Sequence, residues 1–223
     1  MQVIILAGGR GTRLPVSSGD AQKVLVEIHG KPMVAHHIDR LLAAGFENIR
    51  LALGHRAEQV VKFLGGRGYS CSYVIEPEPL GTGGAVRLAS QGLENPFMVL
   101  NGDVYADFDF PAITRAHRRG EALLVSYWRD DTRDFGLLEL SGDRVGAFLE
   151  KPRELRPGYI NAGCYVLEPE HLASAPDPAF MLETDVFPKL AAAGQLANFT
   201  HRGSWEDLGT EERLRRARSS APR

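Results

Sequence analysis

Met1-Gln-Val-Ile-Ile-Leu-Ala-Gly-Gly-Arg-Gly-Thr-Arg-Leu14 runs from an unbroken apolar segment into glycines and arginines, and Lys23 follows. The segment Val3 to Ala7 is apolar at every position, as expected of a parallel strand covered on both faces; a half-exposed strand would alternate. Gly8, Gly9 and Gly11 let backbone N–H groups converge on an anion with no Cβ in the way. Arg10, Arg13 and Lys23 supply positive charge that an ordinary tight turn does not need. A buried strand that ends in a cationic glycine loop is how an α/β protein grips a polyphosphate. The spacing fits neither G-x-x-x-x-G-K-[ST] nor G-x-G-x-x-G, because Thr12, Arg13 and Leu14 follow Gly9-Arg10-Gly11 and the third glycine is missing.

Strands and helices then alternate. Val3–Ala7, Ile49–Leu53, Ser72–Ile75 and Phe97–Leu100 read as strands. Pro32 opens a helix with Val34, Ile38, Leu41 and Leu42 on one face, and Gly45 ends it. Ala57 to Leu64 and Gly84 to Leu93 repeat the plan, which predicts an α/β fold with a doubly wound, Rossmann-like, mostly parallel or mixed sheet. After Asp109 a helix near Ile113–Arg119 precedes strands at Ala122–Tyr127, Gly136–Leu140, Val145–Glu150 and Ile160–Leu167, so a smaller antiparallel portion is expected in the second half. No linker separates the halves, and a single domain over 1–223 is expected: residues 1–109, 110–210, and a C-terminal helix and tail at 211–223. The arginines of that tail read as cations at a fraying helix end.

Of the 223 residues, 43% are hydrophobic and 24% charged, with net charge −2. That balance argues against a general nucleic-acid binder. No apolar stretch approaches membrane-spanning length, and the start is too polar after Ala7 for a signal peptide. Cys71 and Cys164 match no ligand spacing and read as free thiols, so a cytoplasmic protein is expected. The apolar second half could hold a homodimer contact.

Ligands of open α/β sheets sit beyond the carboxyl ends of the strands. Phe97-Met-Val-Leu-Asn-Gly-Asp103 delivers a carboxylate there, and a hard cation such as Mg²⁺ takes one or two carboxylates plus substrate phosphates. Asp207, in Gly203-Ser-Trp-Glu-Asp-Leu-Gly-Thr210, is the candidate second ligand. Glu76-Pro-Glu-Pro-Leu-Gly-Thr-Gly-Gly-Ala85 reads as a stiff wall for a flat base. There the Glu76 carboxylate would accept from the N1–H and exocyclic amine of guanine, or else lie solvated at the strand end.

These motifs resemble the sugar-1-phosphate nucleotidyltransferases. The likeness rests on Ala7-Gly-Gly-Arg-Gly-Thr-Arg-Leu14, Lys23, Gly30-Lys-Pro32, Leu80-Gly-Thr-Gly-Gly84, Asn101-Gly-Asp103, Phe135-Gly136, Glu150-Lys-Pro152, Asn161-Ala-Gly163 and Trp205-Glu-Asp-Leu-Gly-Thr210. The wording is most similar to the D-glycero-D-manno-heptose-1-phosphate guanylyltransferase group, with N-acetylmuramate-1-phosphate uridylyltransferases next. The resemblance implies that Leu6, Ala7, Gly8, Gly9, Gly11 and Thr12 line the nucleotide and that Glu76, Gly81 and Thr82 meet the base. Arg13 would grip the departing pyrophosphate and Lys23 the α-phosphate, while Asp103 and Asp207 hold Mg²⁺. Gly136, Glu150, Lys151 and Asn161 would bind the sugar phosphate, on the antiparallel side. The substrates implied are a nucleoside triphosphate, GTP by the Glu76 reading, and a heptose- or mannose-type 1-phosphate. The family's lysine is usually flanked by prolines, whereas here Gln22 and Val24 flank it. The sequence ends soon after Asp207, so the β-helix that longer members append is not expected.

The chemistry agrees, because an anionic sugar-phosphate oxygen needs alignment and charge neutralisation, with no serine, cysteine or histidine nucleophile. His36, His37, His55, His117, His171 and His201 read as structural or exposed. Three other readings compete. A glycosyltransferase using Asp107-Phe-Asp109 leaves Arg13 and Lys23 without a role. A catalytically silent nucleotide-sugar sensor could dispense with at least one of Arg13, Lys23, Asp103 and Asp207. A dinucleotide-binding dehydrogenase lacks its third glycine.

Overall fold

The computed structural model describes residues 1–9, 22–152 and 156–219, so Arg10, Gly11, Thr12 and Arg13 lie outside the described residues. Strand β1 (Gln2–Ala7) lies between β4 (Ile49–Leu53) and β6 (Phe97–Asn101), parallel to both, with β5 (Ser72–Ile75) beside β4 at the edge. Val3, Ile4 and Ile5 are 0% exposed, which accounts for the continuous apolar run. Two short hairpin strands, β2 (Glu27–Ile28) and β3 (Lys31–Pro32), precede helix α1 (Met33–Ala43).

Helices cover both faces of the sheet, as a doubly wound fold requires. Val34, Ile38 and Leu41 of α1, with Val60 and Leu64 of α2 (Ala57–Arg67), pack in one core with Val3, Ile5, Leu51 and Leu53. On the other face Ala85, Val86 and Ala89 of α3 (Gly81–Ala89) meet Ile4, Ala52 and Val99. Pro32 is the N-cap of α1, and Gly45 at φ +85° closes it, its N–H donating to the Leu42 carbonyl at 3.0 Å. Leu42 itself, expected on the buried face, is 44% exposed in the last turn.

Three helices have boundaries that differ from the expected ones. Helix α2 passes Leu64 and stops at Gly68, φ +68°. Helix α3 begins at Gly81, ahead of the expected Gly84, and ends at Ala89, because its glycines are held by packing and not by helix propensity. A Cβ on Gly83 would run into the Phe180 ring, and one on Gly84 would lie 2.8 Å from the Pro178 carbonyl. Helix α4 (Phe110–Ala116) starts early because Asp109 caps it, Oδ1 accepting from Ala112 N at 2.9 Å, and it stops where His117 turns extended.

Gly83→Ala should lower stability by about 1–3 kcal/mol through overpacking against Phe180. An unchanged urea midpoint would show that Phe180 moves aside freely.

The second half extends the same sheet. Strand β11 (Gly158–Leu167) pairs antiparallel with β6, with Cys164 opposite Leu100, and β8 (Ala122–Arg129) follows on its other side. With β9 (Gly136–Ser141), β10 (Arg144–Glu150) and β12 (Leu196–Thr200), the order of the nine strands is β5-β4-β1-β6-β11-β8-β12-β10-β9. The second half, antiparallel except where β12 runs parallel to β8, is therefore continuous with the parallel half. Helix α5 (Phe187–Ala192), β12 and the two-stranded ladder of β7 (Val104–Ala106) with β13 (Trp205–Asp207) were not expected from the sequence; helix α6 (Glu211–Ser219) was. Cys71 and Cys164 are free. No helix among the described residues is long and apolar enough to cross a membrane.

Candidate active site

The carboxyl ends of β1 and β6 meet at Gly102, whose N–H donates to the Leu6 carbonyl at 3.0 Å. Leu6 O and Val24 crowd the place a Cβ would occupy there, so only glycine lets the chain turn at this point and present Asp103. Beneath it His37 is buried and its Nε2 lies 3.3 Å from the Gly102 carbonyl; burial lowers its pKa to about 4, so the ring is neutral. Lys23, in a single 3₁₀ turn (Lys23–Leu25), places Nζ 2.5 Å from Asp103 Oδ2. Burial opposes ionisation of Asp103, but the charge and hydrogen bond of Lys23 outweigh it and hold the carboxyl below its ordinary range.

The β7–β13 ladder brings up the second carboxylate. Asp207 pairs with Val104, and Leu208 N donates to the Asp103 carbonyl at 2.8 Å. Trp205 anchors this ladder to the antiparallel half: it is buried, its Nε1 donates to the Ala162 carbonyl at 2.9 Å, and its ring stacks on Tyr127 at 5.4 Å. Asp207 Oδ1 accepts from Gly209 N at 3.0 Å and from Arg213 Nη1 at 2.8 Å. Burial, then the negative charge of Asp103, push the Asp207 carboxyl above its ordinary range. Two carboxylates that repel each other in a buried place are suited to a shared divalent cation. No group of three or more His, Cys, Asp or Glu that could hold a metal occurs among the described residues. A pair of carboxylates with positions left for substrate phosphates is a donor set of the kind Mg²⁺ takes.

A cavity of about 550 Å³ opens in front of Lys23 and Asp103. Leu6, Ala7, Gly8, Gly9, Glu76, Gly81 and Thr82 line it, together with Gln22, Gly54, His55 and Asn101. Glu76 is not simply solvated: Oε2 accepts from Leu80 N at 2.9 Å, and Oε1 lies so near Gly8 that a Cβ there would be 2.5 Å away. Burial raises its pKa. Gly81, at φ +73°, also makes room for the Phe180 carbonyl. The Thr82 hydroxyl donates to Glu183 Oε2 at 2.5 Å and accepts from Leu182 N at 3.0 Å.

Gly136, Glu150, Lys151 and Asn161 lie outside the cavity lining, toward the antiparallel side. Gly136 pairs with Glu150 across β9 and β10, and a Cβ on it would crowd Phe148 and sit 3.0 Å from Glu150 Oε2. Lys151 adopts φ +47°, a strained conformation for a lysine, with its N–H on the Phe135 carbonyl at 3.1 Å and Nζ 2.9 Å from Glu150 Oε1. Asn161 donates to Tyr165 OH at 2.8 Å and accepts from Gly163 N at 2.9 Å, where the β8–β11 register shifts. Burial pushes the Glu183 carboxyl up, and its hydrogen bond from the Thr82 hydroxyl opposes that shift.

A family model described as nucleotidyl transferase matches residues 2–222. The chain belongs to the nucleotidyl transferase family. The mannose-1-phosphate guanyltransferase of Yarrowia lipolytica is 34% identical over 220 residues, covering 94% of this chain and 61% of the relative. Mannose-1-phosphate guanyltransferase 2 of Candida glabrata is 35% identical over 221 residues with the same coverage. The chain thus spans less than two thirds of the length of these relatives. Among solved structures, HddC from Yersinia pseudotuberculosis complexed with GMP-PN aligns with TM-score 0.85 at 31% identity over 97% of each chain. A putative glucose-1-phosphate thymidylyltransferase from Bacillus anthracis, in complex with a sucrose, gives TM-score 0.87 at 26% identity, covering 98% of this chain and 94% of that one.

Three residues of this candidate site escape sequence reasoning. Arg213 reads as a cation at a fraying helix end, yet it bridges Asp207 and Asp134, with Nη2 2.5 Å from Asp134 Oδ2, and lies over the Phe135 ring at 4.7 Å. The available signal was its position one helical turn after Thr210, next to the Trp205-Glu-Asp207 motif. Glu183 gives no local signal, since only the tertiary fold brings it to Thr82. Gln22 was visible only as a departure from the family's pattern.

Proposed function

We propose that this nucleotidyl transferase moves GMP from GTP to the phosphate of a sugar-1-phosphate of the mannose or heptose type, releasing pyrophosphate. The observation that carries this reading is the Lys23–Asp103 pair, 2.5 Å apart in the cavity lining, with Asp207 brought beside it by the β7–β13 ladder. Guanyltransferase relatives and a structural neighbour bound to GMP-PN support the choice of base.

The nucleotide occupies the cavity with its base between Glu76 and the Gly81-Thr82 wall and its phosphates toward Gly8, Gly9 and Lys23. Glycines at 8 and 9 allow close approach, and the Lys23 ammonium draws the α-phosphate toward Asp103. Asp103 and Asp207 would hold Mg²⁺, which would supply charge neutralisation between two polyanions. On the other side Glu150, Lys151, Gly136 and Asn161 orient the sugar phosphate. Its anionic oxygen attacks the α-phosphorus in line, the bond to the β-phosphate breaks, and Arg13 steadies the leaving pyrophosphate. No protein nucleophile is needed.

A panel of each triphosphate with mannose-1-phosphate, heptose-1-phosphates and N-acetylmuramate-1-phosphate, read by pyrophosphate release, tests the proposal. GTP with a mannose- or heptose-type acceptor should be fastest; a preference for UTP with N-acetylmuramate-1-phosphate would replace it. Because Glu76 Oε2 is already engaged by Leu80 N, Oε1 is the oxygen left for guanine. Glu76→Gln should therefore lower the GTP to UTP ratio in kcat/KM about tenfold, the worth of one hydrogen bond to a charged group. An unchanged ratio would move base recognition away from Glu76.

A further inference from the structure

Gln22 is 2% exposed and uses its whole amide. Nε2 donates to the Ala7 carbonyl at 2.6 Å and to the Gly9 carbonyl at 3.4 Å, while Oε1 accepts from Val24 N at 2.6 Å. Two carbonyls on one end and an N–H on the other leave a single consistent orientation for the amide. The backbone is pinned as well: Gln22 N donates to Gln59 Oε1 at 2.8 Å, and its carbonyl accepts from Leu25 N at 2.8 Å, closing the 3₁₀ turn that carries Lys23.

Lys23 therefore sits between two residues that are both fixed to their surroundings. Val24 is held by the Gln22 amide and packs under Gly102, where a Cβ would meet its Cγ1 at 2.9 Å. Gly102 precedes Asp103, so the lysine and the carboxylate it pairs with are referenced to the same piece of structure. One side chain thus joins the carboxyl end of β1, where the glycines begin, to the turn that aims Lys23. A buried glutamine is a costly choice unless all its bonds are made, and here they are.

We infer that Gln22 is a positioning residue that sets the Lys23 ammonium against Asp103 and fixes the end of β1 relative to it. Its kinetic consequence rests on the proposed nucleotidyl transfer; its geometric consequence does not. Gln22→Met keeps the side-chain length but loses every amide bond. It should lower kcat about 10²-fold, the cost of roughly an ångström of misplacement, while KM for the triphosphate moves far less. With Lys23 already replaced by Ala, the same Gln22→Met change should matter by no more than about twofold, since the group it positions is gone. An equal loss in both backgrounds, or no loss in either, would overturn the inference. Lysines carrying ¹³C-methyl groups give a readout independent of turnover. The Lys23 signal, identified by its loss in Lys23→Ala and its movement in Asp103→Asn, should also move in Gln22→Met. A Lys23 signal unmoved in Gln22→Met contradicts the inference even if the chain proves to transfer no nucleotide, whereas failure of wild-type turnover alone strikes only the functional reading.

Discussion

Asp103→Asn and Asp207→Asn each lower kcat by about 10³-fold, a loss of about 4 kcal/mol of transition-state stabilisation. Either change removes half of a two-carboxylate set that the β7–β13 ladder holds together. Asparagine keeps the size and the hydrogen bonds to Lys23 or Arg213 in part, so the fold should survive and the urea midpoint should shift little. Raising Mg²⁺ should recover some activity in each variant, because weaker binding is the defect. Near-normal turnover in either variant would remove that residue from the metal site. The two positions also differ in a way the structure accounts for. Asp103 is held ionised by Lys23, whereas Asp207 is pushed toward its neutral form by burial and by Asp103. Asp207→Asn should therefore disturb the protein without metal less than Asp103→Asn, because Arg213 keeps Asp134 whereas the Lys23 ammonium is left facing a neutral amide.

Lys23→Ala should cost about 10²- to 10³-fold in kcat/KM, the usual loss when one preorganised charge facing a transition state is removed. The effect should fall mainly on kcat if the ammonium acts on charge developing at the α-phosphorus, and on KM if it serves ground-state binding alone. Lys23→Arg should not restore the rate, since a longer planar guanidinium cannot occupy the 2.5 Å contact with Asp103 in the same way. Wild-type kinetics in Lys23→Ala would assign phosphate gripping to other cations and leave the Lys23–Asp103 pair as a structural contact.

The parallel half of the fold was legible because burial on both faces imposes a continuous apolar run, as at Val3 to Ala7, and because Pro32 and Gly45 mark the ends of α1 through their backbone geometry. Where the structure departs from the sequence pattern, a tertiary contact has overruled a local preference. Helix α3 begins on glycines because Phe180 fills the space their side chains would need, and periodicity cannot register that. Leu42 continues the apolar stripe of α1 but sits where the helix runs out of sheet to cover it. Strands β7 and β13 are three residues each, too short for alternation to show, although they join Asp103 to Asp207.

The candidate site followed the same division. Glu76 and Asp103 stand just beyond the ends of β5 and β6, so their place could be read along the chain, as Lys23 could from its motif. Gln22, Glu183 and Arg213 act through partners 15, 101 and 79 residues away and became visible only with the fold. Gly81 carries two demands at once, lining the cavity and admitting the Phe180 carbonyl, and only the first was anticipated.

The central claim is direct transfer of a nucleoside monophosphate, with no covalent enzyme intermediate, between a nucleotide cavity on the parallel half and a sugar-phosphate corner on the antiparallel half. Following the label of [α-³²P]GTP in the presence of Mg²⁺ and mannose- or heptose-1-phosphate tests it most directly. The account predicts label in a phosphatase-resistant GDP-sugar, formed in equal amount with unlabelled pyrophosphate and with none retained on the denatured protein. Label bound to the protein, released as free GMP, or left wholly in GTP with every acceptor would contradict it.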